Sequence, residues 1–207
     1  MHRGFFIVID GIDGCGKTTQ CQRLYEYLQQ KHRPVFLTSE PTSLDVGQLI
    51  RKYLKQDVPA ALDALLFAAD RVDHGHRILQ PKLDAGYFII SDRYRDSSYV
   101  YQSIQGKKQG LTMDWIRNIN QFSLSPDLTI ILDVDPALGL QRKLQQRGFR
   151  KEEMEKFENI VFQQAIRAEF QQLVKESSPS KMWQIDASQD VESVFQSIRK
   201  IIDKLLD

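Results

Sequence analysis

The chain has 207 residues, enough for one domain with its own core. Lys and Arg total 28 against 27 Asp and Glu, so the basic excess that marks a nucleic-acid binder is missing and any anion site must be local. Cys15 and Cys21 are the only cysteines, too few for a disulfide framework, and no apolar run approaches the ~20 residues of a membrane span. The expectation is a cytoplasmic protein without a nucleic-acid or membrane partner.

Taken in chain order, Phe5 to Ile9 is an unbroken apolar run that enters a glycine-rich turn. A helical pattern follows from Thr18 to Lys31, then a second apolar run, Pro34 to Thr38, and a helix carrying Arg51. A long helical stretch spans Ala60 to Leu83 and leads to a third run, Tyr87 to Ile90. Asp114 to Phe122 reads as helix, Leu128 to Val134 as a fourth strand, and Pro136 to Gln146 as helix again. Glu155 to Glu176 is helical, Met182 to Ile185 a weaker fifth strand, and Val191 to Leu206 a helix with one apolar stripe. Strands that are apolar throughout are buried on both faces, as in parallel sheets. Their alternation with helices predicts a doubly wound α/β fold: five parallel strands with helices on both faces, in a single domain over 1–207. Ligands in such folds sit beyond the carboxyl ends of the strands.

Directly after the first strand, Gly11-Ile12-Asp13-Gly14-Cys15-Gly16-Lys17-Thr18 fits G-x-x-x-x-G-K-[ST]. Backbone N–H groups of such a loop and the helix N-terminus behind it form a concave anion site. Lys17 would reach the outer phosphates of a nucleotide, and the Thr18 hydroxyl would coordinate Mg²⁺. The loop alone leaves the class open among switch GTPases, motor ATPases and small-molecule kinases. An Asn-Lys-x-Asp guanine motif, which a switch GTPase would carry, does not occur.

Further motifs narrow this. Asp92 and Arg93, in the segment SDRYRDSSYVYQ, are expected at the carboxyl end of a central strand, the third, beside the phosphate loop, and Ser39-Glu40-Pro41-Thr42 follows the second strand. Phe67 and Arg71 lie four apart on one helix face, an aromatic plate beside a two-pronged donor, suited to stacking a base and bonding its carbonyl edge. FIVIDGIDGCGKTTQ, TSEPT, LLFAADR, SDRYRDSSYVYQ, PDLTIILDVDP and IDAS, in this order over the whole length, resemble the thymidylate kinase family of P-loop nucleoside-monophosphate kinases. Gly14 and the basic segment near 150 resemble its bacterial and archaeal branch, in which a lid arginine does what a P-loop arginine does elsewhere.

The resemblance implies a P-loop NTPase-type fold with a small lid at about 147–155. It implies transfer of a phosphoryl group from ATP to dTMP with Mg²⁺ in dTTP synthesis, and a homodimer. Gly11 to Thr18, with Thr19, would bind ATP, Arg142 would flank the adenine, and the loop around Ala187 would close over it. Thr18 and Asp92 would hold the metal, with Asp13 acting through its water shell. Asp13, Glu40, Pro41, Phe67, Arg71, Arg93, Ser98, Tyr101 and Gln102 would form the dTMP site, with Arg51 a second phosphate ligand. Lys17, Arg93, Asp92 and the lid's Arg150 would carry the chemistry. Two positions depart from the family pattern: Ser39 stands where many relatives have arginine, and Ser98 where some carry an amide.

Several residues carry two readings. The basic cluster Arg142, Lys143, Arg147, Arg150 and Lys151 is either a mobile lid or a solvated face paired with Glu152, Glu153 and Glu155. Glu40 either orients an arginine or shapes the turn before Pro41. Cys15 is either a thiol activated at a helix N-terminus or a small loop residue. Asp96 reads as a helix-surface charge, His74 as structural, and His32 and His76 as surface residues.

Overall fold

A computed structural model describes residues 3–145 and 160–206. The five apolar runs form five parallel strands: β1 (Phe5–Gly11), β2 (Val35–Ser39), β3 (Phe88–Asp92), β4 (Leu128–Asp133) and β5 (Met182–Asp186). Their order is β2-β3-β1-β4-β5, so the strand that feeds the glycine-rich turn is central. Four strands extend a residue or two past their apolar runs, because ladder pairing continues beneath Asp10, Ser39, Asp92 and Asp186. The register pairs Ile9 with Asp92, Ser39 with Asp92, and Gly11 with Leu132, which aligns these strand ends along one edge.

The helices are α1 (Lys17–Gln30), α2 (Asp45–Tyr53), α3 (Ala60–His74), α4 (Gln80–Asp84), α5 (Arg95–Gly106), α6 (Met113–Ile119), α7 (Pro136–Leu144), α8 (Ile160–Glu176) and α9 (Val191–Leu206). The stretch expected as one helix over Ala60 to Leu83 is broken by a π turn at Gly75–Leu79. The expected start of the helix at Glu155, and the lid at 147–155 with Arg150, lie outside the described residues.

Alternation along β1 divides the core. Ile7 and Ile9 join a cluster with Leu24 and Leu28 of α1 and Val194 and Ile198 of α9. Phe6 and Val8 meet Leu79, Leu83 and Ile89 instead. Successive side chains of a strand point to opposite faces, so helices cover both. The apolar stripe of α9 is buried as its spacing required, through Val194, Phe195, Ile198 and Ile202. α5 has no such stripe, because it buries Asp96, Ser98 and Gln102 beside Val100 and Tyr101. Asp96 therefore corrects the expectation of a surface charge. It is 6% exposed and accepts from Thr129 Oγ1 at 3.3 Å, and burial pushes its carboxyl above the usual range. His74 is fully buried between Glu40 and Thr38, while His32 and His76 are exposed.

Candidate active site

The turn after β1 wraps around its own lysine. Lys17 is buried, and its ammonium donates to the carbonyls of Gly11 at 3.1 Å and Ile12 at 2.8 Å. Gly14 has φ +76°, and a Cβ there would stand 2.0 Å from the Gly139 carbonyl oxygen of α7. Glycine is needed both for the left-handed backbone and for that close approach. Thr18 Oγ1 donates to Asp92 Oδ2 at 2.5 Å, across from the end of β3. Arg93, the next residue, holds φ 69° without being glycine, a conformation that survives only where its surroundings enforce it. Its guanidinium bonds the Asp13 carboxylate and stands 5.3 Å over the Tyr101 ring.

Asp13 lies among cations. Lys143 of α7 is 3.6 Å from it and Lys17 3.9 Å, besides Arg93. Burial alone would raise its carboxyl, but Arg93, Lys17 and Lys143 outweigh burial and bring it to about 2. Asp10 behaves oppositely: burial lifts it to about 6 against Arg93 and Lys17. Its Oδ1 accepts from the Gly11 amide at 2.8 Å and Ser97 Oγ at 2.7 Å, while Oδ2 is buried without a partner.

Two cavities open beside this cluster. One lies between α3 and α5 and is walled by Phe67, Arg71, Ser98, Tyr101 and Gln102, with Glu40 and Pro41 at one side. Arg71 is 1% exposed. Its Nε donates to Glu40 Oε2 at 2.8 Å and a terminal nitrogen to Ser98 Oγ at 3.1 Å, the other terminal nitrogen bonding Asn120. Gln102 Oε1 is buried without a hydrogen-bond partner in that wall. The second cavity, the larger of the two, is walled by the loop from Asp13 to Thr19, by Asp92, Arg142 and Lys143, and by Ala187. Asp13 and Arg93 belong to both walls, so the two cavities meet at this pair.

The residues singled out in the sequence therefore gather around one centre, with three qualifications. Arg51 spends its guanidinium on the carbonyls of Pro41, Thr42 and Gly47 and lines a side cavity behind Pro41. Arg142 donates to the carbonyls of Ala187 at 2.7 Å and Ser188 at 2.9 Å, bracing the loop it was paired with. Cys15 is 2% exposed and burial pushes its thiol up, which removes the activated reading. Sequence reasoning missed Asp10, Ser97 and Asn120 as members of the cluster, and named Lys143 only within the basic group read as lid or solvated face. Asn120 could not have been found by spacing, since its partner Arg71 is 49 positions away.

A hydroxyl and a carboxylate, Thr18 and Asp92, are hard oxygen donors at one point of the larger cavity. No group of three His, Cys, Asp or Glu among the described residues is placed to enclose a metal ion. Two protein oxygens suit Mg²⁺, which keeps waters and takes phosphate oxygens for its other ligands.

A phosphate loop on the central strand of a parallel sheet, between two cavities that share a cationic centre, defines a P-loop phosphotransferase of the nucleotide-kinase class. A sequence model described as thymidylate kinase matches residues 9–198, and the chain belongs to that family. A probable thymidylate kinase of Staphylothermus marinus is 37% identical over 201 residues, covering 97% of this chain and 96% of that one. A thymidylate kinase of Bifidobacterium longum subsp. infantis is 38% identical over 98% of this chain and 88% of its own. A probable thymidylate kinase of Pyrococcus horikoshii is 36% identical over 97% and 96%.

Proposed function

We propose that this chain transfers the γ-phosphoryl group of ATP to dTMP, giving dTDP and ADP, as a step of dTTP synthesis. The family carries the reaction type. The observation that supports it in the site is the Asp13–Arg93 pair common to both cavity walls, which is where a donor and an acceptor phosphate would face one another.

In this reading ATP occupies the larger cavity, with its phosphates on the amides of Gly11 to Thr18 and its adenine between Arg142 and the loop at Ala187. dTMP occupies the smaller one. Phe67 stacks on the thymine, Arg71 and Ser98 meet its polar edge, and Tyr101 and Gln102 line the sugar side. A donor group on the nucleotide would satisfy the buried Gln102 Oε1. Arg93 grips the acceptor phosphate, whose oxygen is the nucleophile and is largely ionised near pH 7, so no general base is required. Glu40 supports this, since one of its oxygens is bonded by Arg71 and the other by His74, leaving it as an orienting group. Lys17 balances charge on the transferring group, and Arg150 of the lid completes that work on closure, excluding water. Mg²⁺ held by Thr18 and Asp92, with Asp13 through water, would supply charge neutralisation at the donor phosphates. Arg51 reaches the acceptor phosphate only by leaving its carbonyl partners.

A homodimer and a cytoplasmic location complete the proposal. Leu65 and Val72 leave apolar surface on the outer side of α3, and both cysteines are free thiols. The acceptor test is ADP release with dTMP, dUMP, dCMP, thymidine, AMP and GMP in parallel. dTMP is expected to be the best acceptor and the purines poor. Equal turnover of AMP or GMP would overturn the thymidylate assignment and leave the kinase class standing.

A further inference from the structure

The contact between the phosphate loop and α7 has a feature that the sequence patterns do not assign. A Cβ on Gly14 would meet the Gly139 carbonyl oxygen at 2.0 Å, and one on Gly139 would meet the Asp13 carbonyl oxygen at 2.6 Å. The loop and the helix therefore touch backbone to backbone, with no room for a side chain from either. Lys143 follows Gly139 by one helical turn and lies on the same face. Its ammonium is brought to 3.6 Å from Asp13 Oδ2. It stands in the wall of the larger cavity with Lys17, Arg93 and Arg142, and its side chain is 22% exposed.

We propose that Lys143 is a catalytic residue that contacts the outermost donor phosphate. Position 14 cannot carry an arginine, because Gly139 occupies the space. The same glycine contact sets Lys143 over the point where the two cavities meet. Lys17, Arg93 and Lys143 converge there on the carboxylate of Asp13 and line the larger cavity with it. An ammonium on a flexible stem can pass from Asp13 to a phosphate oxygen within the same cavity.

The proposal rests on the phosphotransferase reading, and its test separates the two. ADP and a non-hydrolysable ATP analogue would be titrated calorimetrically into the wild type, Lys143→Met and Lys143→Arg, without any acceptor. Lys143→Met is expected to bind the triphosphate ~10-fold more weakly while ADP affinity stays within about twofold, the size of one charge-assisted contact. Its kcat with dTMP should fall ~10²-fold, and Lys143→Arg should recover most of both losses. Equal weakening of ADP and triphosphate would overturn the proposal, since it would mean only that the loop has lost its shape. Unchanged kcat with unchanged triphosphate affinity would overturn it too. Lys143→Gln, read in the same titrations, replaces Lys143→Met if the latter melts early. Absence of dTMP-dependent ADP release in the wild type would sink the kinase reading instead, while the binding arm would still report on Lys143.

Discussion

Arg71 and Phe67 sit one helical turn apart on α3, yet they do different physical work. Arg71 is buried, bonds Glu40, Asn120 and Ser98, and lies 5.3 Å over the Tyr94 ring. Removing it takes from the buried Glu40 carboxylate its charged partner and leaves it only His74 among the described residues. Arg71→Ala is expected to lower stability by ~3–5 kcal/mol. Phe67 is only half-buried in the cavity wall. Phe67→Ala is expected to weaken dTMP binding by ~1–3 kcal/mol, the scale of base–aromatic stacking, with a smaller loss of stability. Denaturation curves and dTMP calorimetry on both variants would check this; a Phe67 variant that binds dTMP normally would remove the stacking role. The sequence showed the shared face of this pair but not their difference. Glu40 and Asn120 come from 31 and 49 positions away, and helical spacing says nothing about them. The phosphate loop was legible for the opposite reason: all its members are neighbours in the chain, so local spacing specifies their geometry.

The seam between the phosphate loop and α7 makes a prediction at the level of elements. Gly14→Ala would force a Cβ onto the Gly139 carbonyl at a left-handed φ of +76°. The backbone strain alone costs at least ~1 kcal/mol, and the collision requires α7 to move. The variant is expected to melt earlier and to lose affinity for ADP and ATP together; wild-type affinity with wild-type stability would show that the seam has slack. Elements were legible where burial is apolar and periodic, as in the strands and α9. α5 escaped because its inward face carries Asp96, Ser98 and Gln102, so no hydrophobic period exists to find. The π turn at Gly75–Leu79 escaped as well, since helical spacing continues into it from both sides.

At the scale of the whole molecule, apolar strands alternating with helices announced a parallel α/β sheet, and the family patterns placed the nucleotide residues near one another. Beyond the expected neighbourhood of the third strand's end and the phosphate loop, the strand order was not legible, because runs that are apolar on both faces do not encode their neighbours. That order puts Asp92 of β3 and the end of β1 side by side, and with them the wall that both cavities share. Asp13 and Arg93 line both chambers, and with the substrate roles proposed for them the two substrates are not independent thermodynamic variables. An anion that claims Arg93 from one side lessens what the other side offers its own phosphate. The enzyme should therefore show negative heterotropic linkage between its products and substrates in the absence of divalent ions. Saturating dTMP is expected to weaken ADP binding by ~5-fold, and saturating ADP must weaken dTMP by the same factor. Calorimetric titrations in both orders measure that reciprocity, and affinities indifferent to the second nucleotide would mean that the shared pair transmits nothing.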